Sequence, residues 1–183
     1  LQGLRLLHRL ALPAAWAFPE PVDWKGLTGL SNEGQPRIED FGPASWSSAV
    51  VLHPGNHGSA NGWSKSRFLA LAERLLSEGI PVIFTGTQSE RIDFARWFDD
   101  RADEPLLHEG MGVWTLSELM ALLGHVRIVV ASSTGPLHIA SALDTPVVGL
   151  YRSDPPFWPE RWAPLGPSKL LSTTRTLPDG GLD

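Results

Sequence analysis

From Ser48 onward, short unbroken apolar blocks alternate with longer stretches in which apolar positions recur every three or four residues. The blocks are Ala49-Val50-Val51-Leu52, Pro81-Val82-Ile83-Phe84, Val126 to Ala131, and Pro146-Val147-Val148-Gly149-Leu150. Runs this short and this continuous read as strands buried on both faces. Phe68, Leu71, Ala72 and Leu75 lie on one helical face, and Gly79 stands where a helix would be capped. A second helix is predicted from Ser89 to about Asp99. A third opens at the capping box Thr115-Leu116-Ser117-Glu118, runs through Leu119, Met120 and Leu123, and ends at Gly124. A fourth covers Pro136 to Leu143. Leu106-Leu107 and Leu170-Leu171 are weaker strand signals. The alternation predicts a three-layer, Rossmann-like α/β domain. Its sheet should be mostly parallel, with about six strands and right-handed crossovers.

Residues 1–47 do not share this rhythm. Leu1 to Leu12 suits a short helix. Pro13, Pro19, Pro21, Pro36 and Pro43, with Gly26, Gly29, Gly34 and Gly42, then exclude any long regular element. The segment is expected to be a linker or the remnant of a preceding N-terminal domain. Residues 48–172 form the predicted α/β domain, and 173–183 a tail. Ala14-Ala15-Trp16-Ala17 faintly resembles a signal-peptide cleavage site, but His8 and Arg9 interrupt the apolar stretch before it. The first residue is Leu1 rather than Met, which suggests a processed chain or a fragment of a longer one.

Composition narrows the chemistry. The 183 residues include 15 Lys and Arg against 20 Asp and Glu, a net charge of −5, so no nucleic-acid partner is expected. There are no cysteines, which removes disulfides, thiolate metal sites and cysteine nucleophiles. Hydrophobic residues make up 42%, enough for a real core, and no apolar run is long enough to span a bilayer.

In an open parallel sheet, ligands bind beyond the carboxyl ends of the strands. Three loops stand there. Ser132-Ser133-Thr134-Gly135-Pro136-Leu137-His138 joins a strand to a helix. Hydroxyl residues cap such a helix, glycine lets a ligand approach the backbone, and proline suits the first turn. The amides and the positive dipole end favour phosphate, although an ordinary cap without a ligand looks the same. His138 follows one turn later. The second loop runs from His53-Pro54-Gly55 through His57 and Asn61 to Trp63. It is long enough to bind a ligand but lacks the closing Lys of a Walker loop. His53 and His57 lie four apart without a third ligand candidate, so no metal site is expected. The third loop is Thr85-Gly86-Thr87-Gln88-Ser89-Glu90. Glu90 there suits either a ribose diol or a helix-start carboxylate facing the dipole. No G-x-S-x-G elbow or G-x-G-x-x-G fingerprint is present, which disfavours a hydrolase and a dinucleotide-binding domain.

Taken in order, Ser133-Thr134-Gly135-Pro136-Leu137-His138-Ile139-Ala140-Ser141-Ala142-Leu143 followed by Thr145-Pro146-Val147-Val148-Gly149-Leu150-Tyr151 resembles glycosyltransferase family 9. These are the bacterial heptosyltransferases of lipopolysaccharide core assembly. Leu52-His53-Pro54-Gly55 with Trp63 and Phe68, Thr85-Gly86-Thr87 with Glu90, and Leu116-Ser117-Glu118-Leu119 support the resemblance. It runs from about Val50 to Gly166. It implies the C-terminal, donor-binding half of a GT-B glycosyltransferase, with the acceptor and the catalytic base in the other half. The donor implied is ADP-heptose or a similar nucleotide sugar, and the acceptor a lipid-linked or protein glycan. No cofactor is implied. The location implied is cytoplasmic or peripheral at the inner face of the bacterial inner membrane, with any membrane contact made through the other half.

Carried onto this chain, the resemblance implies that Thr134 and Gly135 hold the diphosphate, with Ser133 and Pro136 among the substrate-binding residues and His138 beside them as the catalytic candidate. Glu90 and Gly86 would meet the ribose. Trp114 would stack on adenine, and His53 would stand at the end of the first strand. Three positions in two motifs depart from the family pattern. Ser133 replaces an Asp. Asn61 and Ser64 replace the Lys and Pro of a Lys-x-Trp-Pro stretch, and Lys65, four residues after Asn61, could cover the same face. Two other readings compete: a GT-B nucleotide-sugar epimerase, and a degenerate nucleotide-binding module without activity.

Overall fold

The structure is a computed structural model and describes residues 42–55, 63–153, 159–166 and 168–173. The helix expected at Leu1 to Leu12, most of the 1–47 segment, His57, Asn61 and all but the first residue of the predicted tail lie outside these residues. Six strands form one sheet: β1 (Val50–His53), β2 (Val82–Gly86), β3 (Leu107–Met111), β4 (Ile128–Ser132), β5 (Val147–Arg152) and β6 (Ser168–Thr173). Their spatial order is β3-β2-β1-β4-β5-β6, and every neighbouring pair is parallel. The order reverses direction between β1 and β4, which is the crevice where such sheets bind ligands.

Between the strands run α1 (Lys65–Ser77), α2 (Gln88–Arg91), α3 (Ala95–Asp99), α4 (Leu116–His125) and α5 (Gly135–Ala142), followed by α6 (Pro159–Trp162). Strands β1, β2, β4 and β5 are mostly apolar because both of their faces are covered. On β1, Val51 joins a cluster with Ile83, Val129, Leu122 of α4 and Leu137 of α5. Its neighbours Val50 and Leu52 join the opposite cluster, with Phe84, Phe68 of α1 and Phe98 of α3. This two-residue alternation splits one apolar run between two layers. Phe84 is wholly buried and meets the rings of Phe94, Trp97 and Phe98 at 5.3–5.7 Å between centroids. A fully buried side chain of this size contributes about 1.5–3 kcal/mol.

Several boundaries differ from the sequence pattern. Gly79 does follow α1, with φ 73°. Gly124 does not end α4; the helix runs on to His125, and Val126 caps it, so β4 starts only at Ile128. The helix expected at Ser89 to Asp99 is broken. Thr87 caps α2, a 3-10 turn covers Ile92–Phe94, and α3 follows. Ile92 and Asp93 at the break are poor helix formers. The weak signal at Leu106-Leu107 is the start of a five-residue edge strand. Edge strands tolerate the polar His108 and Glu109 that hid it. A 3-10 turn at Ala44–Ser48 buries Trp46, so the folded layer extends back beyond the Ser48 boundary. Among the described residues, no helix is long and apolar enough to cross a membrane.

Candidate functional site

A cavity of about 330 Å³ opens across the carboxyl ends of β1, β2, β3 and β4. His53 and Gly55 line it from the end of β1, and Thr85, Gly86 and Thr87 from β2. Gly110, Trp114 and Leu119 contribute from β3 and α4, and Thr134, Gly135 and Pro136 from the start of α5. The three loops singled out in the sequence therefore converge on one space.

The α5 wall is built for close backbone approach. Thr134 is the N-cap residue, but its side chain makes no cap; the hydroxyl donates to the Ser132 carbonyl at 3.2 Å. The amides of the first turn are thus not covered by the expected hydroxyl. Pro136 fills the second helical position, where it sacrifices no helical bond. A Cβ built on Gly135 would meet nothing within 4 Å, so the backbone there faces open space. Ser132 is fully buried, and its hydroxyl has no partner among the described residues. Ser133 is half-buried and lies outside the cavity lining.

The β2 wall is held by a capping box. Thr87 Oγ1 accepts from the Glu90 amide at 3.3 Å, and Glu90 Oε2 accepts from the Thr87 amide at 2.8 Å. Thr87 Oγ1 also donates to Glu90 Oε2 at 2.9 Å. The helix-start role of Glu90 is therefore realised. Its carboxylate also stands behind the cavity wall, because a Cβ on Gly55 would strike it and one on Gly86 would come within 3.1 Å. These two glycines allow the carboxylate to lie that close.

On the β3 side, Trp114 packs on the backbone of Gly110, where a Cβ would overlap its ring. The Trp46 ring meets Trp114 edge-on at 6.1 Å and His108 at 5.3 Å. Burial pushes the His108 pKa below its ordinary value. Gly112, with φ 74°, turns the chain after β3, and its amide donates to the Gly86 carbonyl at 2.8 Å. A bidentate ion pair between Arg91 and Glu109 ties α2 to the same strand and raises the arginine pKa.

Between these walls, His53 Nδ1 lies 2.8 Å from Thr85 Oγ1, and Thr85 is 1% exposed. His138 sits one turn into α5, exposed and outside the cavity lining. The adjacent protein still desolvates its ring enough to lower its pKa. Lys65 opens α1, and its ammonium stands 5.2 Å from the Phe94 ring centre rather than in the cavity lining. Gly55, Thr85 and Thr87 also line the space and lay in the loops singled out from sequence without being named as site residues; Gly110, a glycine within a strand, and Leu119, a helix-face position, were missed.

The chain matches glycosyltransferase family 9 (heptosyltransferase) over residues 6–178, a span that includes most of the segment expected to be a linker. It is 27% identical over 158 residues to lipopolysaccharide heptosyltransferase 2 of Salmonella typhimurium, covering 80% of this chain and 43% of that protein. Its fold is similar to that of Escherichia coli ADP-heptose lipopolysaccharide heptosyltransferase II, with a TM-score of 0.62 at 20% identity, covering 93% of this chain and 48% of that one. It is also similar to an E. coli heptosyltransferase solved with ADP, with a TM-score of 0.59 at 17% identity, covering 71% and 39%. The chain thus spans less than half the length of these relatives. A profile match over nearly the whole chain, joined to a six-stranded parallel Rossmann-like sheet of the GT-B kind, shows that this protein belongs to glycosyltransferase family 9, the heptosyltransferase family.

Proposed function

We propose that this chain is the donor-binding domain of a glycosyltransferase that moves a heptose from ADP-heptose to a lipopolysaccharide-core or related acceptor. One observation carries the reading. The cavity spans four neighbouring strand ends, with an aromatic ring after β3 and an open helix start after β4. Those ends are three strand spacings apart, about 14 Å, within the reach of an extended nucleoside diphosphate. Adenine would lie on Trp114 beyond β3. The ribose would lie over β2, where Gly86 lines the cavity and Glu90 stands behind it. The diphosphate would reach the β1–β4 crevice, at His53, Thr134 and Gly135. Amides at a helix start favour such an anion.

Catalysis in this half would consist of holding the donor and stabilising the leaving diphosphate. The candidate role of His138 would then require the acceptor to approach from the exposed side of α5, since its ring is outside the cavity lining.

Titration with ADP tests the reading. Gly135→Val should abolish binding, because its side chain would enter the open space. Since a Cβ there meets no atom of the described residues within 4 Å, the variant should stay folded. Thr134→Ala should weaken binding about tenfold, equivalent to ~1.4 kcal/mol. Equal affinity in all three proteins would reduce this loop to a cap, and the donor-site reading would fail. Tighter binding of a UDP-sugar than of ADP-heptose would favour the epimerase instead.

A further inference from the structure

The titratable composition of the cavity wall supports one step beyond this reading. Among the described residues that line the cavity, His53 is the only ionisable side chain. The rest are threonines, glycines, a proline, a leucine and Trp114. Lys65, the cation expected to serve this face, lies over Phe94. Among the described lining residues, the charge that a doubly charged diphosphate would meet therefore depends on one imidazole.

The ring is held in place. His53 ends β1, beside β2 on one side and β4 on the other. Its Nδ1 bonds to the hydroxyl of Thr85, which is almost fully buried on β2. A threonine hydroxyl can both donate and accept. It can donate to Nδ1 of the neutral ring, and it can accept from Nδ1–H of the charged ring. The same contact thus serves both protonation states and keeps the imidazole at the strand end. Two negative groups belong to this neighbourhood. The Glu90 carboxylate of α2 lies behind Gly55 and Gly86. The bound diphosphate adds its own negative charge. The start of α5, beside β4, opposes the cation with the positive end of its dipole until an anion is present. His138 of α5 is a second titratable group near this turn, outside the lining.

We propose that His53 supplies the titratable positive charge that recognises the diphosphate of the donor, with Thr85 as the residue that positions it. This inference rests on the donor-site reading above. It implies that nucleotide-sugar affinity rises as the pH falls through the histidine range, and that the lever is His53 rather than His138.

The test is calorimetric titration of the chain with ADP-heptose at pH 5.5 and pH 8. The diester diphosphate of this probe keeps its charge over that range, so the pH response belongs to the protein. The wild type should bind about tenfold more tightly at pH 5.5. His53→Gln should bind equally at both values, near the wild-type affinity at pH 8. Thr85→Val should lose most of the pH response, and Thr85→Ser should restore it, which a purely structural hydroxyl would not do. His138→Gln should keep the response. Thermal melts at both pH values identify any variant that fails to fold, and Thr85→Ser against the wild type then carries the positioning test. Binding by the wild type that is the same at both pH values, or a response that survives in His53→Gln, overturns the inference and leaves the donor site standing. No binding at either pH overturns the donor reading and this inference together.

Discussion

At the scale of single residues, glycines set how closely side chains approach the site. Gly110 has no room for a side chain because the Trp114 ring covers its backbone. Gly110→Ala should therefore push the indole out of its place against Trp46. Since the strand end itself need not move, the expected loss is selective. ADP binding should weaken about tenfold, equivalent to ~1.4 kcal/mol, while inorganic pyrophosphate binding should stay unchanged. Indole fluorescence and titrations with both ligands would check this; equal loss for both would mean that Trp114 does not contact the base. His108, beside Trp46, makes a second prediction. Burial lowers its pKa, so the neutral ring is the form the fold favours. The unfolded chain then binds more protons between the lowered value and the ordinary one near 6.5. Stability is fully present above that ordinary value and is lost as pH falls through the lowered one. The lowered pKa of His138 acts with the same sign. Denaturant melts at pH 8 and pH 5 should show a fall in stability, and His108→Gln should reduce the fall. An unchanged slope would assign the effect to other groups.

At the scale of elements, each end of α4 is satisfied in a different way. Its start is closed by the Thr115–Glu118 capping box, in which Glu118 Oε2 accepts from the Thr115 amide at 2.8 Å. Near its end, the Leu123 carbonyl accepts from the buried Thr145 hydroxyl at 2.6 Å. Thr145→Val would keep the volume and strand the carbonyl. The expected cost is about 1–3 kcal/mol, or roughly 2–4 °C of Tm per kcal/mol for a chain of this size. Thr145→Ser should recover most of it, and an unaltered melt for Thr145→Val would show that water reaches the carbonyl. The contrast between the two ends also explains what the sequence could tell. A capping box is local and was visible as Thr-x-x-Glu, whereas the tie at Thr145 joins residues 22 positions apart. Strands β1, β2, β4 and β5 were legible because burial on both faces makes them apolar throughout. Strand β3 was only half legible, because an edge strand can carry His108 and Glu109. In the same way, Gly86, Thr134 and Gly135 were visible in strand-end loops. The His53–Thr85 contact and the seat of Trp114 on Gly110 exist only once neighbouring strands are paired.

At the scale of the whole molecule, the strand order decides what this chain can do alone. Order β3-β2-β1-β4 brings four carboxyl ends to one cavity, and the described residues lining it include no carboxylate. The nearest one, Glu90, holds the Thr87 amide and hydroxyl in its cap. Transfer to an acceptor hydroxyl is aided by a base that takes its proton, a contribution of about 10²–10⁴-fold. Within the donor-domain reading, the 183-residue chain should bind ADP-heptose yet release no ADP from it when a lipopolysaccharide-core acceptor is supplied. A coupled assay for ADP, run beside the binding titration, separates the two properties. Binding without turnover would support the donor-domain reading for a chain that spans less than half the length of these relatives. Turnover by this chain would place a base among its own residues. His138 would be the first to replace, because an imidazole can accept a proton and this one stands exposed one turn into α5. In that case His138→Ala should remove turnover and leave ADP affinity unchanged. Turnover that survived the substitution would mean that the proton leaves by another group, and that His138 is only a surface residue of α5.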